Sequence, residues 1–219
     1  MIYEITNLEN KLKTLNVEQM EVVEYIKNKI DQQILLFLNG DSGCGKTYLL
    51  NLIDNMLTMN GMTVQKLGTT GYSANLIDGQ NVHGFFSINY LLKCRLQYDS
   101  SKWHTIKQTN VIIIDEYSLM SDELINLIDE ILWGLYTENM NKSVVKYKFG
   151  EKKIILVGDL FQLAAVSTFA QPITQLYKSL IFKNNFTPFI LTKNMRAAKD
   201  PKYSEFYPIV ELVFMILII

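Results

Sequence analysis

Gly40-Asp41-Ser42-Gly43-Cys44-Gly45-Lys46-Thr47 satisfies G-x-x-x-x-G-K-[ST] and follows the apolar run Ile34-Leu35-Leu36-Phe37-Leu38. A buried strand ending at Leu38, a glycine-rich turn and a helix opening near Lys46 together read as a phosphate-binding loop. Glycines let backbone N–H groups turn inward around phosphate oxygens, and the helix points its positive dipole end at the same spot. In this reading the backbone from Gly40 through Asp41, Ser42, Gly43, Cys44 and Gly45 cradles phosphates. The Lys46 ammonium reaches the β- and γ-phosphates, and the Thr47 hydroxyl holds Mg²⁺. Cys44 is either a passive small residue or a thiol whose pKa is lowered by the helix N-terminus.

Composition bounds the rest. With 219 residues, 48% of them hydrophobic, the chain has enough apolar material for one substantial domain and is short for two. A net charge of −1 supplies no global field for nucleic acid, so any such binding must come from a local groove. The two cysteines, Cys44 and Cys94, form no metal-type spacing and fit a reducing intracellular compartment. Met1 to Asn10 carries charge early and lacks the apolar segment of a secretory signal. Val210 to Ile219 is strongly apolar but far shorter than the ~20 residues a membrane-spanning helix needs.

Along the chain, Asn16-Val17-Glu18-Gln19 has capping-box spacing, and Val22, Val23, Ile26 and Ile30 follow at helical intervals, which predicts a helix from Val17 to Ile30. Gln19 then serves either as the cap alone or as a side-chain amide reading the edge of an adenine. A second helix carries Leu49, Leu50, Leu52, Ile53, Met56 and Leu57 and stops at Asn60-Gly61. Met62 to Leu67 reads as a strand closed by Gly68-Thr69-Thr70-Gly71, with a helix from about Tyr72. This order is the βαβ repeat of a parallel α/β sheet. Gly79 to Phe86 reads as a loop in which His83, Phe85 and Phe86 either stack on bases or, alternatively, the two phenylalanines pack in the core and His83 is an ordinary polar residue.

Val111-Ile112-Ile113-Ile114-Asp115-Glu116 is a buried β-branched strand ending in two carboxylates. Acids at a strand's carboxyl end are costly without a partner, so a cation is expected there. Asp115 would complete the Mg²⁺ site through its water shell, and Glu116 would polarise an attacking water. An acidic cap for the helix running from Ser121 through Ile131 is the alternative. Trp133 to Gly150, with Lys142, Lys146 and Lys148 among aromatics, reads as a polar connection that is either solvated or touches nucleic acid. Lys153 to Asp159 is another buried strand, and Gln162 just beyond it is placed to feel a γ-phosphate. Phe189 to Thr192 makes the last strand. Arg196 follows at the same carboxyl edge, as a phosphate ligand or as a capping or salt-bridging residue.

Several stretches, taken in order, resemble the Pif-one-like DNA helicases of superfamily one, including the helicase part of Helitron-type transposons. They are Leu15-Asn16-x-Glu18-Gln19, the phosphate loop, Thr69-Thr70-Gly71-x-x-Ala74 with Val82-His83-x-Phe85-Phe86, Asp115-Glu116-x-Ser118-Leu119-Met120, Gly158-Asp159-x-x-Gln162-Leu163 and Leu191-Thr192-x-Asn194-Met195-Arg196. The resemblance implies a RecA-like P-loop NTPase domain, a parallel β-sheet flanked by helices, that binds ATP with Mg²⁺. It sets Gln19 at the adenine, Lys46 and Thr47 at phosphates and metal, Asp115 and Glu116 at metal and water, and Gln162 and Arg196 at the γ-phosphate. Thr70, Gly71, His83 and Phe85 would lie along a single-stranded DNA track. A 5′-to-3′ polarity, an intracellular setting that is nuclear or mitochondrial in a eukaryote, and family roles in DNA repair, recombination and telomere maintenance are implied in the same way.

Two local departures stand out: Ala164-Ala165 replaces the two prolines usual after Gln-Leu, and Ala197 replaces the glutamine usual after Arg196. The resemblance covers roughly Leu15 to Phe206. It leads to the expectation of one motor domain over 1–206, an aberrant or truncated apolar tail over 207–219, and no second RecA-like domain. The alternative is an ATP-binding, DNA-interacting module or remnant that does not unwind.

Overall fold

The computed structural model describes residues 2–138, 147–160, 162 and 174–195, and strands and helices alternate through them. Helices α1 (Ile2–Leu12) and α2 (Val17–Asn28) precede β1 (Leu35–Gly40). Helix α3 (Lys46–Met59) leads to β2 (Val64–Gly68), and α4 (Gly71–Leu76) to the two-residue β3 (Gln80–Asn81). After α5 (Val82–Phe85) and α6 (Ser101–Gln108) come β4 (Val111–Asp115) and α7 (Asp122–Thr137). Then follow β5 (Lys153–Gly158), α8 (Leu180–Asn185) and β6 (Thr187–Leu191). The strands form one sheet in the order β3-β2-β4-β5-β1-β6, and every pairing is parallel.

A parallel sheet must be covered on both faces, and the near-continuous apolar strands meet that demand. Leu35 and Phe37 of β1, Ile112 and Ile114 of β4, and Ile154 and Leu156 of β5 point to one side. There they pack on Leu124, Ile125, Ile128 and Leu132 of α7, with Phe85, Phe86, Phe182 and Phe186. The alternate residues Leu36, Leu38, Ile113, Ile155 and Val157 point to the other side, against Val22, Val23 and Ile26 of α2 and Leu49, Leu50, Ile53 and Leu57 of α3. The result is a helix–sheet–helix sandwich with two cores. Among the described residues no helix is long and apolar enough to cross a membrane.

Helix and strand ends differ in detail from the sequence-based expectation. Helix α2 stops at Asn28 rather than Ile30, and the strand expected over Met62 to Leu67 spans Val64–Gly68. Helix α7 continues past Ile131 to Thr137, so Trp133 and Tyr136 stack on a helix, with ring centroids 5.6 Å apart, instead of opening a polar connection. The segment around His83 is a strand pair and a short helix, not a loop, because the Asn81 side chain caps α5. Helices α1, α6 and α8 lie in stretches for which the sequence raised no helix; α6 is started by the Ser100 side chain, which accepts from Trp103 N–H at 3.2 Å. The tail expected over 207–219, like Ala164-Ala165 and Ala197, lies outside the described residues.

One buried polar side chain ties three segments together at the carboxyl edge of the sheet. Asn39 of β1 is fully buried, and its Oδ1 accepts from the Tyr117 hydroxyl at 3.1 Å and from Leu160 N–H at 2.8 Å. Tyr117 follows β4 and Leu160 follows β5, so a single acceptor fixes where both strands deliver their loops. Asn39→Ala leaves two donors without that acceptor, and a buried unsatisfied donor costs about 1–3 kcal/mol. Urea denaturation should show a loss of at least ~2 kcal/mol with an unchanged m-value.

Candidate nucleotide site and strand face

The phosphate loop has no ladder of its own, and its shape comes from neighbours on both sides. Gly43 and Gly45 have φ of 95° and 82°, in the left-handed region that glycine tolerates. A Cβ at Gly43 would come within 2.7 Å of Asn194 Oδ1, and one at Gly45 within 2.7 Å of Gln19 Nε2. These two side chains grip the loop. Gln19 is buried; its Oε1 accepts from Asn16 N–H at 3.2 Å and its Nε2 donates to the Cys44 carbonyl at 3.2 Å. The cap role is therefore formed, and the same amide also braces the loop. From the opposite side Asn194 Nδ2 donates to the Ser42 carbonyl at 3.1 Å, and Met195 N–H donates to the Gly43 carbonyl at 2.9 Å.

Glu18 anchors this second clamp. Its carboxylate accepts from Thr192 N–H at 2.9 Å and Lys193 N–H at 3.3 Å, and from the Thr192 hydroxyl, tying the end of β6 to the first turn of α2. Neither Glu18 nor Asn194 carried a site role in the sequence reading. Only the fold brings them to a loop that lies far away along the chain. Cys44 is buried among the α2 and α3 residues of the core, which is the packing role.

Lys46 Nζ donates to the Asp41 carbonyl at 2.9 Å and to the Gly40 carbonyl, across the mouth of the loop. Thr47 is exposed at the start of α3. Facing them, Asp115 ends β4. Burial, and then the neighbouring Glu116 charge, push its carboxyl up to about 6, while Lys46 pulls the other way. Glu116 adopts φ 57°, ψ 44°, a left-handed conformation that costs a non-glycine residue roughly 1–3 kcal/mol. Its side chain lines a cleft of about 640 Å³ shared with Thr70, Tyr72, Leu76, Leu119 and Gln162. Gln162 Nε2 donates to Asp159 Oδ2 at 3.0 Å.

The family model described as PIF1-like helicase matches residues 14–217. The chain belongs to the PIF1-like helicase family. It is 30% identical over 173 residues to the ATP-dependent DNA helicase PIF3 of Trypanosoma brucei brucei, covering 78% of this chain and 20% of that protein. It is 30% identical over 139 residues to the ATP-dependent DNA helicase Pif1 of a Psychrobacter species, covering 61% of this chain and 20% of that protein. The chain thus spans about a fifth of the length of these relatives. The crystal structure of Pif1 helicase from Candida albicans has the same fold, with a TM-score of 0.71 at 23% identity over 86% of this chain and 42% of the other. Bacteroides Pif1 in complex with ADP-AlF3 and ssDNA also superimposes, with a TM-score of 0.71 at 24% identity over 86% of this chain and 44% of that one.

Within this PIF1-like domain the sheet edge gathers Gly40 to Thr47, Asp115 and Glu116, with Gln162 beside Glu116 in the cleft. Thr70 shares that cleft; it is exposed and caps α4, its hydroxyl accepting from Ser73 N–H at 3.0 Å. Gly71, also exposed, opens α4. His83 is partly exposed on α5, and burial lowers its pKa, so at neutral pH it is an uncharged ring. Phe85 is only 2% exposed and its ring meets Phe86 edge-on at 5.0 Å, which is the core-packing alternative of the two that the sequence left open. Lys148 pairs with Asp129 at 3.4 Å, and Lys142, Lys146 and Arg196 lie outside the described residues.

The raised Asp115 pKa has a measurable sign. Because its folded pKa lies above the ordinary 3.8, the neutral carboxyl stabilises the fold fully below about pH 4, and that contribution is lost as the pH rises through about 6. Asp115→Asn, neutral at every pH, should equal the wild type near pH 4 and exceed it by up to ~3 kcal/mol near pH 8. Thermal denaturation of both proteins across that range is the check. A pH-independent difference would mean that the Asp115 carboxyl ionises without cost.

Proposed function

We propose that this chain is the ATP-binding motor domain of a PIF1-like DNA helicase, with the nucleotide on the Gly40–Thr47 loop and single-stranded DNA on the face carrying Thr70, Gly71 and His83. The observation that carries this reading is the shared carboxyl edge of the parallel sheet, where the Gly40–Thr47 loop leaves β1 and Asp115 ends β4 with Glu116 next to it, with β5 alone between the two strands. A carboxyl that its surroundings make costly to ionise, beside a phosphate loop, would be held in its charged form by a hydrated divalent cation. Among the described residues no group of three or more His, Cys, Asp or Glu could hold a metal alone. Mg²⁺ at Thr47 and Asp115 would take its other oxygens from the nucleotide and water. The metal supplies charge neutralisation at the transferring phosphoryl group.

In this reading each side chain has a distinct task. Lys46 exchanges loop carbonyls for phosphate oxygens, and Glu116, fixed by its left-handed backbone, orients and polarises the attacking water. Gln162, held by Asp159, would sense the γ-phosphate, and Arg196, which follows β6 in the sequence, would add positive charge there. Gln19, whose amide already bonds Asn16 N–H and the Cys44 carbonyl, would have to exchange one of these contacts to read the edge of an adenine. His83, as a neutral ring, contributes stacking or hydrogen bonding rather than phosphate charge.

Three outcomes test the proposal. Isothermal titration should find Mg²⁺-dependent binding of ATP or ADP that Lys46→Ala weakens strongly while the variant stays folded; equal affinities would remove Lys46 from the site. Fluorescence anisotropy should find single-stranded DNA binding that is micromolar or weaker and strongly salt-dependent. His83→Ala should weaken it without lowering the salt slope, since no phosphate charge is lost. Finally, the 219-residue polypeptide alone should bind nucleotide but turn it over slowly and fail to unwind a 5′-tailed duplex. A motor that closes two RecA-like domains on ATP supplies an arginine from each side, and one such arginine is worth ~10³–10⁵ in rate. Robust strand displacement by these 219 residues would overturn that expectation.

A further inference from the structure

Thr69 ends the β2 turn and belongs to none of the nucleotide or strand assignments above, yet its polar groups are all engaged. Its backbone N–H donates to the Asp115 carbonyl at 3.3 Å, and its hydroxyl donates to the Glu116 carbonyl at 3.1 Å. Its own carbonyl accepts from Asn81 Nδ2 at 3.4 Å. Asn81 Oδ1 in turn accepts from His83 N–H at 2.9 Å and Gly84 N–H at 3.4 Å, so the side chain that touches Thr69 also caps the helix carrying His83. The next residue, Thr70, caps α4. Parallel register makes this possible, because Gly68 lies opposite Asp115 on one side and Asn81 on the other.

We infer that Thr69 is a positioning residue that transmits engagement of a single strand at Thr70, Gly71 and His83 to the peptide of Glu116. The inference rests on the function proposed above. Glu116 holds a left-handed backbone, which a glutamate keeps only where surrounding contacts over-determine it. Its carbonyl accepts from Leu119 N–H at 3.1 Å within its own turn and from the Thr69 hydroxyl across the sheet edge. The Thr69 bond is the one that comes from the strand face. A ligand that reorients the Thr70 turn or the start of α5 shifts Thr69, and a shift of Thr69 alters both the Asp115 and Glu116 carbonyls together. Two hydrogen bonds, Asn81 to Thr69 and Thr69 to Glu116, thus lead from the strand face to the backbone carbonyl of Glu116.

Hydrogen–deuterium exchange of the 219-residue chain with an oligothymidylate and no nucleotide tests this directly. In the wild type, oligonucleotide should slow exchange at residues 69–86 and also at residues 115–119, the latter by at least about five-fold. Thr69→Val keeps the branched shape and the backbone N–H but has no hydroxyl. It should bind oligonucleotide as the wild type does, yet keep protection at 69–86 and lose it at 115–119, and Thr69→Ser should restore it. Asn81→Asp, which keeps the cap on His83 but cannot donate to Thr69, gives an independent variant and should weaken the same protection. Protection at 115–119 that survives Thr69→Val, or is missing in a wild type that binds oligonucleotide, overturns the inference. Failure of the wild type to bind oligonucleotide overturns the proposed strand face itself, and this coupling with it.

Discussion

Everything at the working edge of this domain depends on the register of its parallel strands. Gly68 lies opposite Asp115, Asp115 opposite Val157, Asn39 opposite Gly158 and Gly40 opposite Leu191, so five strands end at nearly the same height. A parallel pair slipped by one residue would also exchange its two apolar faces, which both cores forbid. The packing that stabilises the fold therefore also aligns the loops that carry chemistry. Asn39 reinforces that alignment with its single buried oxygen, gathering the segments after β4 and β5.

The site draws on that rigidity. Asp115 is held where ionisation is unfavourable, and Glu116 is held in a backbone conformation that glutamate does not prefer. Both features lower the stability of the free protein, and both are useful if a cation and a phosphoryl group are to be met by preorganised groups. The phosphate loop is treated in the opposite way. It is clamped by Gln19 on one flank and by Asn194 and Met195 on the other, and Glu18 links the two flanks. Movement of the segment leading to Arg196 would be felt by the loop through hydrogen bonds with no intervening hinge.

Two residues show what the sheet edge asks of its side chains. Gln19 completes a capping box and braces the phosphate loop with the same amide. Phe85 is buried against Phe86, and with α5 one turn long it is an apolar anchor for the turn that carries His83.

The amino-acid sequence alone determined the α/β class, the phosphate loop, the strand ending in Asp115 and Glu116, and the order of the motifs that mark a PIF1-like helicase. Each of those is written in a contiguous stretch, as a run of β-branched residues, a glycine spacing or a cap, and local chemistry suffices to read it. Only the tertiary structure decided that Thr69 bonds to Glu116, that Glu18 and Asn194 hold the phosphate loop, and that Phe85 faces inward. Those facts depend on which residues from distant stretches meet at one edge of the sheet. Periodicity cannot reveal that, because strand order and register are set by burial of two whole faces rather than by any single segment.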